Sequence, residues 1–221
     1  TMDELLRFCM EQPPQGYRIY RGVPDSRYEL EPTVARVPRI KKLPDKQRRL
    51  EAENELLYGF GRQGLPYFAT SSEPPPWERI ACAQHHSLPT RLLDWTTNPL
   101  VALFFAAEQL PDVEAGIYWY DIKRFVNPPA TVDPTEIDTP MVFRPSNTSE
   151  RIVLQQGVFM IGTDPFVPYR LPGLMLHLEA FPAALKTQVL LLLEHLGISR
   201  TRLFPGLDAV ATEVLRELER S

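Results

Sequence analysis

The spacing of apolar and polar positions changes along the chain, and each change marks an element. In residues 3–12, Leu5, Leu6, Cys9 and Met10 recur at helical spacing, and the run stops before Pro13-Pro14; a short helix is predicted. Residues 17–23, YRIYRGV, predict a short strand ending at Pro24. Over 44–60, Pro44 and Asp45 stand at the start and Leu50, Glu53, Leu57 and Phe60 are spaced along a helix, with Asp45 as its N-cap. Four prolines and the Ser71-Ser72 pair make 65–77 a loop.

Residues 77–88 predict another helix, and 89–99 a strand followed by a turn. Asn98-Pro99 then opens an apolar helix, LVALFFAAEQL, with proline where a first turn tolerates it. In 116–122, Ile117, Trp119 and Asp121 alternate with Tyr118 and Tyr120, which suits a strand buried on both faces near its centre. A proline-rich stretch, 127–145, precedes two predicted strands, 151–156 and 158–162. The tail, 179–219, predicts two helices, one closing at Gly197 and one following Pro205-Gly206, with their leucines as core or a helix-packing face. This order does not repeat as β-α-β, so the pattern predicts one α+β domain over 1–221, with its core in 17–212 and a helical pair at its end.

Composition supports a packed core: 43% of residues are hydrophobic, 24% are charged, and the net charge is −4. The 23 prolines in 221 residues are roughly twice the usual share of about 5%, which implies long ordered loops and argues against helical repeats. Cys9 and Cys82 cannot build a disulfide framework, so a reducing, cytoplasmic setting is the default. The longest apolar runs fall far short of the roughly 20 residues a membrane span needs, so no membrane partner is expected. A secretory leader is not expected either. Thr1 ahead of Met2 suggests flanking sequence, and with it a fused or separate partner domain.

The familiar phosphate loops, the Gly-x-Ser-x-Gly elbow and the His-Glu-x-x-His metal helix are absent. What stands out is the polar density of Gln84, His85, His86, Thr90, Arg91, Asp94, Trp95, Thr96, Thr97 and Asn98 beside an apolar helix. Buried polar groups must be satisfied by hydrogen bonds or line a cleft. In one reading an Arg91–Asp94 ion pair pins the loop, the histidines bond a helix end and Trp95 is core. In the other, arginine and histidine hold an anionic ligand and Trp95 stacks on it. Adjacent histidines point in different directions on a helix and no third ligand has suitable spacing, so no metal is expected. Arg21-Gly22 ends a strand, where the arginine can reach into a cleft. Seven Arg or Lys in residues 36–49 are either a solvated face or a surface for nucleic-acid phosphates.

Together these pieces resemble the FRG domain, a bacterial family. Its aromatic-x-Arg-Gly signature reads Ile19-Tyr20-Arg21-Gly22 here, and residues 83–108, AQHHSLPTRLLDWTTNPLVALFFAAE, are similar to its Gln-His-x-Gly-x-Pro-Thr-Arg-Leu-Leu-Asp-Trp-Thr-x-Asn-Pro block. Ser87 stands where glycine is usual. Gln155 to Phe159 and the Gly197-Ile198 region extend the resemblance across about 17–212.

A weaker similarity runs to the Arg-Ser-Glu class of ADP-ribosyltransferases. It rests on Tyr20-Arg21-Gly22, on residues 96–108 and on residues 149–162, in that order. It implies a split antiparallel sheet with peripheral helices, NAD as substrate, and an ADP-ribosyltransferase or NAD glycohydrolase, of the toxin or defence-effector kind, with a protein or nucleic-acid acceptor. Arg21 would hold the NAD phosphates with Gly22 beside it, Thr96 and Thr97 would shape the nicotinamide pocket, and Glu150 or Gln155 would contact the ribose. His85, Arg91, Asp94, Trp95 and Asn98 would line the same cleft. One departure is chemical: Ile152 occupies the catalytic glutamate position, and isoleucine cannot stabilise an oxocarbenium sugar. Either the alignment slips by two residues, or the chemistry moves to Gln155, Asp94 or His85, or the chain is a non-catalytic module recognising a nucleotide or nucleic acid.

Overall fold

Six extended segments pair into one antiparallel sheet in the computed structural model, which describes residues 1–68, 72, 74–129, 132–145 and 149–220. Within 212–220, the side chains of 212, 213, 216, 217, 219 and 220 are outside the description. The strands are β1 (Tyr17–Val23), β2 (Leu92–Thr96), β3 (Ala115–Ile122), β4 (Met141–Phe143), β5 (Gly157–Ile161) and β6 (His177–Phe181), in the order β4-β5-β2-β1-β3-β6. The helices are α1 (Met2–Met10), α2 (Pro38–Lys41), α3 (Lys46–Gly64), α4 (Pro76–His85), α5 (Pro99–Ala107), α6 (Glu150–Leu154), α7 (Lys186–His195), α8 (Arg200–Leu203) and α9 (Leu207–Arg220). The chain is α+β, as its element order predicts.

Local chemistry explains where these elements begin. Asp45 caps α3 by accepting from the Arg48 amide at 2.8 Å, and Asn98 caps α5 by accepting from Leu100 at 2.9 Å, with Pro99 next in the first turn. Val101 to Phe104, Ala106 and Ala107 of α5 are buried against Tyr20, Ala115, Ile117 and Phe181 of the sheet and Val189 and Leu193 of α7. Further along the same sheet face, α3 and α4 cover Leu92, Phe143, Phe159 and Ile161 with Leu57, Trp77 and Ile80. On the opposite face Ile19, Leu93, Trp95, Tyr120, Val158 and Met160 pack with Leu30, Tyr169 and Leu171, which come from the proline-rich loops.

The sheet parts in its middle. All seven residues of β1 pair with β3, from Tyr17↔Ile122 to Val23↔Gly116, whereas β1 and β2 meet at Tyr20↔Thr96 alone. Beyond that pair the chains diverge, and the gap is the floor plan of the site described below.

Four expectations are corrected. Residues 151–156, expected as a strand, form α6 and its exit: the Ser149 hydroxyl accepts from the Ile152 amide at 3.4 Å, and Gln156, at φ +47°, turns the chain into β5. The expected helix at 181–197 starts later: Phe181 is the last residue of the edge strand β6, Pro182 follows it, and α7 starts at Lys186. The proline-rich stretch contributes β4, a three-residue edge strand. Finally, α9 follows α8 with Leu207, Val210, Val214, Leu215 and Leu218 exposed, so its apolar stripe is not core. Parts of the expected loops at 65–77 and 127–145, namely 69–71, 73, 130 and 131, lie outside the described residues.

Candidate functional site

The parting between β1 and β2 opens into a cleft of about 200 Å³. Its walls are Tyr20, Arg21, Gly22 and Pro24 on one side and Asp94, Trp95 and Thr96 on the other, with Phe105, Gln109, Arg151 and Gln155 closing it. The Thr96 hydroxyl fixes the shared corner, donating to the Gln155 carbonyl at 2.7 Å and accepting from the Asn98 amide at 3.0 Å. One side chain at the end of β2 thereby ties α6 and the start of α5 to the cleft.

Arg21 spans the gap. One terminal nitrogen donates to the Asp94 carbonyl at 2.5 Å, taking up a backbone acceptor on the stretch where the strands no longer pair. Its Nε is buried and has no hydrogen-bond partner among the described residues. Burial pulls the Arg21 pKa down, the Asp94 charge pulls it up and Arg36 pulls it down again; the guanidinium stays charged. A cation with an unspent donor in a cleft favours an anionic ligand. Arg151 adds a second cation, its guanidinium 4.5 Å above the Phe204 ring.

Asp94 is the one carboxylate lining the cleft among the described residues. It is held in orientation by a relay: the Thr90 hydroxyl donates to Gln84 Oε1 at 2.6 Å, and Gln84 Nε2 donates to Asp94 Oδ2 at 2.9 Å. The bond from threonine fixes which end of the amide faces the carboxylate.

A side pocket of about 50 Å³ adjoins the cleft and shares Asp94, Trp95, Arg151 and Gln155 with it. Gln84, His85, Ile152, Gly157, Val158 and Phe159 complete its lining. His85 Nδ1 lies 3.3 Å from the Ser149 hydroxyl. Burial, then His86 and Arg151, hold the His85 pKa below its ordinary value, which favours neutral imidazole.

The expected site residues therefore separate. Arg21, Asp94, Thr96 and Gln155 meet at the cleft, and His85 lies in the side pocket. Arg91 does not join them: it is fully buried and donates through Nε and Nη2 to the two Glu53 oxygens at 2.7 and 2.6 Å, with Thr135 O at 3.2 Å from Nη1. The expected Arg91–Asp94 pair is thus replaced by Arg91–Glu53. Trp95 walls both spaces and is 2% exposed, its ring 5.7 Å from that of Tyr120. Thr97 bonds Gln156 at 3.4 Å, and Asn98 is spent as the α5 cap; neither lines the cleft. Glu150 is exposed on the first turn of α6 and lines neither space.

Gly22 has a structural reason to be glycine. A Cβ there would stand 1.9 Å from the Ala102 carbonyl oxygen and 2.7 Å from the Ala106 amide nitrogen, so α5 lies directly on the β1 backbone. Sequence reasoning missed Arg151, Gln109, Phe105 and Tyr20. For Arg151 the signal was present, since Ser149 followed by Glu150 can open a helix, but the apolar run after it reads equally well as a strand.

No residue of the basic run lines the cleft, although Arg36 is close enough for its charge to act on Arg21. Lys46 pairs with Asp164 at 2.9 Å and Arg49 donates to the Leu43 carbonyl at 3.2 Å, while Arg36 and Arg39 are exposed. Among the described residues, no group of three or more His, Cys, Asp and Glu side chains is placed to hold a metal ion, and no helix is long and apolar enough to cross a membrane.

Residues 17–114 match the family model of the FRG domain. This segment is an FRG domain. No curated protein and no solved structure matches the chain. The FRG segment carries β1, the Gln84–Asp94 relay, β2 and α5, and so supplies both the Arg-Gly signature and the strand parting. Arg151 and Gln155 lie beyond its end, so the cleft combines the FRG segment with α6.

Proposed function

We propose that the cleft binds a nucleotide of the NAD class through its phosphates and cleaves the glycosidic bond, on an architecture similar to the ADP-ribosyltransferases. The observation that carries this reading is the buried, unpartnered Nε of Arg21 in a cleft that also contains Arg151. Two guanidiniums in one cleft suit a pyrophosphate, because each presents a planar fork of donors to phosphate oxygens. At about 200 Å³ the cleft is smaller than the roughly 300–1,000 Å³ that enclose a drug-sized ligand. It would hold one part of the nucleotide and leave the rest along the rim.

In this reading Asp94 takes the place of the missing glutamate. Its charge would stabilise the oxocarbenium sugar as it develops, and the Thr90–Gln84 relay would keep one oxygen in place beforehand. Thr96 and Gln155 shape the corner without spending free donors on the ligand. A second reading, a module that binds the nucleotide without cleaving it, is favoured by Ile152 in the side pocket and by the outward position of Glu150. Titration with NAD, with nicotinamide release followed in the same samples, separates the two: heat with release supports cleavage, and heat without release supports the module.

A further inference from the structure

We propose that the acceptor in this chemistry is water, held in the side pocket beside His85, which makes the reaction a hydrolysis rather than a transfer to a macromolecule. The inference rests on the nucleotide-cleaving reading above. Its basis is the size, lining and position of the pocket.

A space of about 50 Å³ exceeds the roughly 10–15 Å³ needed to hold a water, and an ordered water needs two to four polar partners. Gln84, His85, Asp94, Arg151 and Gln155 all line it. Because Asp94, Trp95, Arg151 and Gln155 belong to both spaces, a water in the smaller one sits next to a ligand in the larger.

His85 is set up to take a proton. The Ser149 hydroxyl oxygen accepts from the Ile152 amide at 3.4 Å and lies 3.3 Å from His85 Nδ1. With the ring proton on Nδ1 and donated to that oxygen, Nε2 is the basic nitrogen. In the step, the water oxygen bonds the anomeric carbon as the carbon–nitrogen bond to nicotinamide breaks. The bonding pair leaves with the nicotinamide nitrogen, and one water proton passes to His85 Nε2 and then to solvent. The products are nicotinamide, ADP-ribose and one proton.

Two variants test this without relying on one. His85→Gln removes the base. Gly157→Ala narrows the pocket with no change of charge, since its Cβ would lie 3.5 Å from Ile152 Cγ2, an ordinary contact. Binding heat with NAD, nicotinamide release, product identity and the thermal midpoint are measured on each protein. The expected result is free ADP-ribose equal in amount to nicotinamide, release slowed about 100-fold in His85→Gln and at least about tenfold in Gly157→Ala, and unchanged binding heat. Release unchanged in both folded variants overturns the inference, as does ADP-ribose recovered on added protein or nucleic acid instead of free. Heat without release in the native sequence overturns it while leaving the nucleotide site standing. No heat at all overturns the nucleotide reading and this inference together.

Discussion

Arg91 and Glu53 form a two-pronged ion pair, 2.7 and 2.6 Å long, with side chains 0% and 1% exposed. The pair joins α3 to the start of β2, 38 residues apart in sequence, and Thr90 beside it feeds the Gln84–Asp94 relay. The arginine of the most recognisable block is thus a fastening that positions the cleft.

Removing one partner leaves the other charge buried and alone, which costs about 3–5 kcal/mol. Arg91→Met should lower stability by that amount, read as a shift in the urea midpoint, while the double change Arg91→Met with Glu53→Leu should recover most of it. Equal loss in the single and double variants would contradict the pairing.

Gly22 is held to glycine by the helix above it. Gly22→Ala forces a methyl to 1.9 Å from the Ala102 carbonyl oxygen, so α5 must lift from β1. Overpacking of this kind costs roughly 1–3 kcal/mol or more, which for a chain of this size lowers the thermal midpoint by at least about 2–4 °C per kcal/mol. A midpoint equal to that of the native sequence would show that α5 does not lie where described.

The depressed His85 pKa carries a stability prediction with a definite sign. Burial, His86 and Arg151 favour the neutral ring in the fold, so its folded value lies below the ordinary 6.5. The native state is therefore at full strength from this group above about pH 6.5, and it weakens as pH falls through 6.5 toward the folded value, where the unfolded chain binds the proton first. Urea midpoints taken from pH 7.5 down to 5 should fall more steeply for the native sequence than for His85→Gln. Parallel curves would contradict the assignment.

Much of the frame was legible in the sequence because its signals are local. Asp45 and Asn98 stand immediately before their helices, and the strand Tyr17–Val23 ends at Pro24. The site was harder to read. Arg91 and Asp94 are three apart in sequence, but their partners, Glu53 on α3 and Gln84 on α4, come from separate helices. Residues 150–154 are ambiguous between a short helix and a strand, and the decision rests on the Ser149 cap and the turn at Gln156. Strand β6 owes its conformation to pairing with β3 from Ala115↔Phe181 to Trp119↔His177, a non-local cause. The parting of β1 from β2 also depends on pairing, and no sequence period encodes it.

The central claim is that Arg21 holds an anionic nucleotide in the parting of the sheet. Calorimetric titration of NAD into the native chain, Arg21→Lys and Arg21→Ala, with thermal midpoints measured beside it, tests this most directly. Loss of a charge-assisted hydrogen bond is worth about 1.5–3 kcal/mol, so Arg21→Ala should weaken binding by at least about tenfold. Arg21→Lys should fall between, because it keeps the charge and loses the planar fork. Binding of equal strength in all three folded proteins, or no heat with the native chain, would contradict the account.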